Sequence, residues 1–373
     1  MIPVETPIRI DQNKINKITN HILQNEQGKI KEWTCTPITI DQLNFVTGGV
    51  YRVAGKTEIG SGIMRQWSLI IKIVIADSTR DDPSHYNYWK REILAYESGL
   101  LDQLPGNFIA PECYEMEEKA DGTVWLWLED MTGEIAIWKK ENYAYAAAKL
   151  GEFHAAYVNE KSLPQHAWIN QYWMRSWIRE CNKYRNMPLR QEMNQMNLSN
   201  EVMNIIGKYE QFERKRNEYL IALESLPRTL SHQDFDEFNV LYPNKYQEED
   251  KLAVIDWQFI SISGVGEDLG RFLGLSMSRG NVPIDRLSEY RDLIFTSYID
   301  GLRKNGWNGN EETARLGYLL SFAFRSIWEI PLMLRQLQQG KDSSESKRMI
   351  CITKLQMDSV EQAERLGILK MVQ

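Results

Sequence analysis

The sequence predicts an α+β protein: a small β-rich lobe followed by a larger, mainly helical lobe. Two composition changes carry that expectation. Between Ile38 and Ala76 the chain is dominated by β-branched and aromatic runs, "VYRVAG" (Val50–Gly55) and "WSLIIKIVIA" (Trp67–Ala76), residue types that suit a pleated, half-buried surface. After Met131 it turns to strong helix formers, starting with "NYAYAAAKLGEFHAAYV" (Asn142–Val158). The expected division is a helical N-terminal extension over 1–37, a first lobe over 38–130 and a second over 131–373. A chain of 373 residues is longer than one core usually fills, and the crevice between two lobes is a usual place for a ligand.

The elements follow in order. Residues 11 to about 32 read as an amphipathic helix, with Ile15, Ile18, Ile22 and Leu23 on one side. The two strand runs are joined by "KTEIGSG", a hairpin signal. The chain turns helical around Tyr88–Leu101, and "TVWLWLED" (Thr123–Asp130) reads as a buried strand. In the helix after Asn142, Ala147, Leu150, Phe153 and Tyr157 share a face. Trp168, Trp173 and Trp177 are spaced to lie on one helix face, either as core or as one wall of a substrate pocket. Ser199 or Asn200 is placed to cap a helix reaching Ser225. Two short strands, "NVLYP" and "KLAVIDW", flank the polar turn "NKYQEEDK". Ala314–Gln338 is helical, with Pro331 expected to bend or divide it.

Composition narrows the function. The net charge is −7, which argues against a general nucleic-acid binder and is compatible with a cationic small substrate. Cys35, Cys113, Cys181 and Cys351 are far apart and form no Cys-x-x-Cys, so neither a disulfide framework nor a zinc site is expected. The start "MIPVETPIRIDQNKI" has no apolar signal core, and the apolar stretch near Leu69–Ala76 is broken by Lys72. The expectation is a cytoplasmic protein, monomer or homodimer, with no nucleic-acid or membrane partner.

The densest polar chemistry lies in "LSHQDFDEFNVLYP" (Leu230–Pro243), where His232, Asp234 and Asn239 form the pattern H-x-D-x-x-x-x-N. Asp256 follows at the end of the apolar run "LAVIDW". Such oxygen donors suit a magnesium ion, which takes one or two carboxylates plus substrate phosphates. A carboxylate left off the metal accepts a proton from a hydroxyl, the division of labour that phosphoryl transfer needs. Lys72 sits inside "LIIKIV", where its ammonium is costly unless it meets an anion. Glu92, on the following helix, is placed to hold that lysine against phosphates. Gly48 and Gly49 in "FVTGGVYRV" allow close approach of backbone N–H groups to phosphate. Plainer readings stand beside these: turn chemistry for Asp234, Asn239 and Asp256, an edge-strand lysine, a solvated helix face for Glu92, a simple turn at Gly48–Gly49, and a core histidine at His154.

Taken together, these pieces resemble the protein-kinase-like fold, and more closely its small-molecule branch of aminoglycoside phosphotransferases and choline/ethanolamine kinases. The likeness spans roughly residues 38–340 and rests on "SHQDFDEFNVL", "LAVIDW", "GEDLGRFL" and the helix "KLGEFHAAY". The resemblance implies Asp234 as the catalytic aspartate and Asn239 and Asp256 as magnesium ligands. It implies Lys72 as the phosphate-binding lysine with Glu92 as its partner, and Glu129 and Met131 in a hinge, "WLEDM", whose backbone bonds adenine. Asp268 and His232 resemble structural residues that steady the catalytic loop. ATP or GTP would be the donor, and an aminoglycoside-like antibiotic, a sugar or an amino alcohol the acceptor. The sequence departs from the family at Gln233 and at Asp236-Glu237-Phe238, whose two extra acids are either solvated or face a cationic acceptor. Trp257 replaces the Phe of D-F-G with no Gly after it, so no protein-kinase activation segment is expected. A non-catalytic nucleotide-binding module remains the alternative.

Overall fold

The computed structural model describes residues 8–38, 45–60, 62–105, 107–131, 138–159, 161–242, 250–339 and 344–367. Helix α1 (Gln12–Ile22) is capped by Asp11, whose carboxylate accepts from the Asn13 N–H at 2.9 Å. It buries Ile15 and Ile18 against the first sheet. The helix is shorter than its periodicity predicts. Gln24 takes a positive φ of 49°, and beyond it Lys29–Pro37 forms strand β1, which pairs antiparallel with the next strand. Residues 29–37, expected in a helical extension, therefore edge the sheet. Their alternating side chains bury Cys35 against it.

Strands β2 (Thr47–Ile59) and β3 (Ile63–Val74) form the expected hairpin, in register from Ile59↔Ile63 to Gly49↔Ile73 and shifted by one residue at Thr47↔Val74. Its turn needs backbone that few residues other than glycine adopt: Gly60 has φ 56° and Gly62 has φ 94°. Helix α2 (Arg91–Glu97) follows, shorter than the expected span. Next come β4 (Phe108–Ile109), β5 (Cys113–Glu118) and β6 (Val124–Glu129). The first sheet has the order β1-β2-β3-β6-β5.

The rest of the chain is mostly helix. It runs through α3 (Lys140–Asn159), α4 (Trp173–Tyr184), α5 (Arg190–Gln195), α6 (Asn200–Arg214) and α7 (Arg216–Glu224). Four short strands come next: β7 (Arg228–Ser231), β8 (Val240–Leu241), β9 (Leu252–Val254) and β10 (Ser261–Gly264). The chain then forms α8 (Glu267–Ser278), α9 (Leu287–Lys304), α10 (Glu311–Phe324), α11 (Ser326–Gln338) and α12 (Ser344–Arg365). β7 pairs with β10, and β9 lies between β8 and β4. The β4–β9 pairing is parallel and ties residues 108–109 to the strands that flank the polar loop. No described helix is long and apolar enough to cross a membrane.

Three helical expectations change. Ser199 caps α6, as its sequence suggests, but the helix breaks at Lys215 before α7 resumes. The division of 314–338 falls at Arg325, whose N–H bonds Phe322 O at 3.3 Å in a tightened turn. Pro331 sits within α11 and does not end it. Trp168 precedes α4, so only Trp173 and Trp177 share a helix, with rings 6.1 Å apart and 10° from parallel. The turn "NKYQEEDK" lies mostly at 243–249, outside the described residues.

α3 and α9 approach so closely that a Cβ on Gly301 would lie 1.9 Å from Ala148 O. That contact sets the position of the two helices behind the polar loop, whose Phe235 is fully buried between Phe108 (5.8 Å) and Phe272 (5.3 Å).

Candidate active site

Lys72 lies on β3 with β2 on one side and β6 on the other: Val50 and Leu126 are its register partners. It is thus on an interior strand, and the edge-strand reading fails. Its Nζ sits 2.6 Å from Glu92 Oε2 and 2.8 Å from Asp256 Oδ1. Glu92 is 1% exposed, which removes the solvated-face reading as well. Burial opposes the Lys72 charge, yet Asp256 and Glu92 hold its pKa above the ordinary value. Burial likewise opposes ionisation of Asp256, but Lys72 holds its carboxyl below the usual range. Asp256 takes a left-handed backbone, φ 59° and ψ 66°, as the chain leaves β9. The next residue, Trp257, donates its N–H to Glu92 Oε1 at 3.3 Å. Two neighbouring segments are thereby fixed to one glutamate.

The polar loop hangs from Asp268 at the start of α8. Its Oδ2 accepts the His232 N–H at 3.0 Å and its Oδ1 the Gln233 N–H at 2.7 Å. His154 Nε2 lies 3.3 Å from the same Asp268, and Tyr298 OH lies 2.8 Å from His154 Nδ1. His154 is a fully buried core histidine. These partners, the His154 contact foremost, outweigh burial and hold the Asp268 carboxyl below its usual range. They also fix Gln233 at φ 62°, a backbone unusual for a non-glycine residue. His232 accepts the Asp234 N–H through Nδ1 at 3.2 Å, so Nε2 carries the proton that goes to Ile255 O at 3.0 Å. Burial lowers the His232 pKa, in keeping with that neutral form.

Asn239 donates Nδ2–H to Asp234 O at 2.9 Å, and its own carbonyl accepts the Ile255 N–H at 2.9 Å. The Asn and the segment carrying Asp256 are therefore neighbours. With Nδ2 engaged, Oδ1 is the Asn239 amide atom that could meet a metal ion. Asp256 has one oxygen on Lys72 and a side chain 32% exposed. Among the described residues, no three His, Cys, Asp or Glu side chains gather as a metal cage. One amide oxygen and one carboxylate fit magnesium, which draws its remaining ligands from phosphate and water.

The two extra acids are turned to side chains of the chain itself. Asp236 is 1% exposed, with Oδ2 3.3 Å from Arg279 Nη1. Burial and then Asp234 push its carboxyl up to about 6. Glu237 accepts from Tyr143 OH at 2.6 Å and lies 3.6 Å from Arg279. The reading in which these acids meet a cationic acceptor, like the one in which they are solvated, gives way: Asp236 is spent on Arg279, just after α8, and Glu237 on Tyr143 of α3 and on Arg279. Asp234 itself is bound by Arg271 of α8, whose Nε lies 2.5 Å from Oδ1.

Sequence reasoning missed Arg271, Arg279 and Tyr143. Only Arg271 had a local signal, lying three residues after Asp268 and so on the same helix face. Gly48 and Gly49 lie within β2 at a bulge, where Thr47 pairs with Val74 and Gly49 with Ile73, beside Lys72. Glu129 ends β6 and donates its N–H to Glu112 O at 2.8 Å, so that N–H is not open to a base. Met131 is buried just beyond it. Trp173, Trp177, Gln233, Glu267, Arg271 and Arg325 line a narrow recess beside the loop.

Residues 44–305 match a family model described as the ecdysteroid kinase-like family. Solved structures of similar fold include the amicoumacin kinase hAmiN in complex with AMP-PNP, Ca2+ and Ami, at 14% identity and a TM-score of 0.51, covering 94% of each chain. Another is choline kinase from Cryptosporidium parvum Iowa II, at 13% identity and a TM-score of 0.50, covering 97% of this chain and 98% of that one. At such identities the likeness establishes the fold, that of protein-kinase-like small-molecule kinases. No curated protein matches the chain in sequence.

Proposed function

The chain belongs to the ecdysteroid kinase-like family, and on that premise we propose that it is an O-phosphotransferase moving the γ-phosphoryl group of ATP or GTP to a hydroxyl of a small molecule. The observation that carries this reading is the meeting of Lys72, Glu92 and Asp256 next to the loop bearing Asp234 and Asn239. Lys72, oriented by Glu92, aligns the donor phosphates. Gly48, Gly49 and the Glu129–Met131 backbone border the nucleotide. A magnesium ion on Asn239 and Asp256 would neutralise charge on those phosphates when bound. Asp234 orients the acceptor hydroxyl and takes its proton. Positioning and electrostatics of this kind supply most of the rate in phosphoryl transfer.

The acceptor is a hydroxylated small molecule such as a sugar, an amino alcohol or an aminoglycoside-like compound. With Asp236 on Arg279 and Glu237 on Tyr143 and Arg279, neither acid is left to select a cationic acceptor. The nucleotide analogue and Ca2+ named for the amicoumacin kinase complex support a nucleotide with a divalent ion here.

The test is diphosphate release from magnesium–ATP and magnesium–GTP over an acceptor panel, comparing the natural chain with Asp234→Asn. The variant is expected to keep the magnesium-dependent melting shift on nucleotide binding and to lose transfer. Unchanged turnover with the best acceptor sinks the mechanism. A melting shift with no transfer by the natural chain favours a non-catalytic nucleotide-binding module.

A further inference from the structure

Asp268 and Arg271 stand one helical turn apart on α8 and act on the same loop from the same side. Asp268 fixes the backbone of His232 and Gln233. Arg271 fixes a side chain: its Nε and Nη2 both converge on Oδ1 of Asp234. Both of these contacts go to that one oxygen. The guanidinium is itself held over the Phe259 ring, 5.7 Å from its centroid, and lines the recess with Gln233, Trp173 and Trp177. A second buried carboxylate, Asp236, lies two residues along and repels Asp234. Asp234 thus sits between a repelling acid and a planar cation that holds one of its oxygens.

We propose that Arg271 is a positioning residue for the transfer step, gripping Asp234 Oδ1 so that Oδ2 is turned to the acceptor hydroxyl. This rests on the reading of Asp234 as the group that takes the hydroxyl proton. In that step the acceptor O–H proton passes to Oδ2. The freed lone pair of the acceptor oxygen forms the bond to the γ-phosphorus. The bond from the γ-phosphorus to the bridging oxygen breaks, and its electron pair leaves on the nucleoside diphosphate. Arg271 exchanges no proton. Burial works against its charge, but Asp234 and Asp236 hold it in the protonated form. Two donors set in one rigid plane fix the place of Oδ1, where a lysine would offer one freely rotating ammonium.

The test compares the natural chain with R271A, R271K and D234N. Diphosphate release is read from magnesium–ATP and magnesium–GTP, with water and with the acceptor panel, beside melting temperature and nucleotide affinity. R271A is expected to lose about 100-fold in kcat, the scale of an ångström-sized misplacement, while its KM for nucleotide stays near that of the natural chain. Added guanidinium is expected to restore part of that kcat where methylammonium does not, and R271K to fall between. The proposal is overturned by R271A or R271K turning over at the natural rate, or faster, which would mark Arg271 as a restraint on Asp234. It is also overturned by a loss in R271A, at natural melting temperature, that guanidinium does not mend. If R271A fails to fold, R271K decides alone. D234N separates the two readings. An inactive D234N beside a fully active R271A leaves the base in place and removes the positioning role. An active D234N, or a natural chain that releases no diphosphate, overturns both.

Discussion

Lys72 and Glu92, twenty residues apart on β3 and α2, form a 2.6 Å ion pair whose side chains are 9% and 1% exposed. Little solvent screens it, so removing one partner leaves a charge with reduced compensation. Glu92→Gln is expected to destabilise the chain by about 3 kcal/mol, the lower end for a broken buried pair, because Asp256 still holds Lys72. Nucleotide affinity is expected to fall with it. Denaturant unfolding and nucleotide titration check the two effects.

Asp256 shares Lys72 with Glu92 and neighbours Asn239. Asp256→Asn keeps the size and removes the charge a divalent cation needs. The variant is expected to lose the magnesium-dependent part of the nucleotide melting shift and to keep the part that magnesium does not affect. Thermal melts with nucleotide, with and without EDTA, read the difference.

Glu267 gives stability a pH dependence. Burial pushes its carboxyl from 4.5 to about 7, so the folded state binds the extra proton between those values. Stability from this group is complete below pH 4.5 and is lost as pH rises through about 7. Asp236, pushed from 3.8 to about 6, acts with the same sign. Asp256 and Asp268, held low, act with the opposite sign and only below about pH 4. The natural chain is therefore expected to lose roughly 3 kcal/mol relative to Glu267→Gln between pH 4.5 and 7. Melting curves of both across that range check it; parallel curves would remove Glu267 as the cause.

Gly301 lets α9 press against α3, with a Cβ there only 1.9 Å from Ala148 O. Gly301→Ala requires the helices to move apart and is expected to cost about 1–3 kcal/mol. The polar loop rests on the same helices through His154 and Tyr298, so turnover is expected to fall as well. Denaturant midpoints and kcat, measured together, test the link.

Much of this chain is local enough to be legible in its sequence. The β2–β3 hairpin follows from β-branched runs around glycines, and the α3 face from its apolar spacing. Lys72, Glu92, Asp234, Asn239 and Asp256 stand out because each is a polar group that an apolar run or short loop must account for. β1 and the break at Arg325 did not stand out. A short alternating run such as Lys29–Pro37 becomes a strand only when a neighbouring strand offers its hydrogen bonds, and the turn at Arg325 carries no glycine or proline.

The sequence by itself determined which ionisable and polar side chains make up the candidate site and how far apart they lie along the chain. The tertiary structure alone decided how those charges are paired. In the sequence Asp234, Asp236 and Glu237 are one acidic cluster. In the fold Arg271 takes the first while Arg279 takes the other two. A carboxylate in a loop has no preferred partner until a helix packs against it, because ion pairing is set by distance in space and by loss of water, neither of which sequence separation encodes.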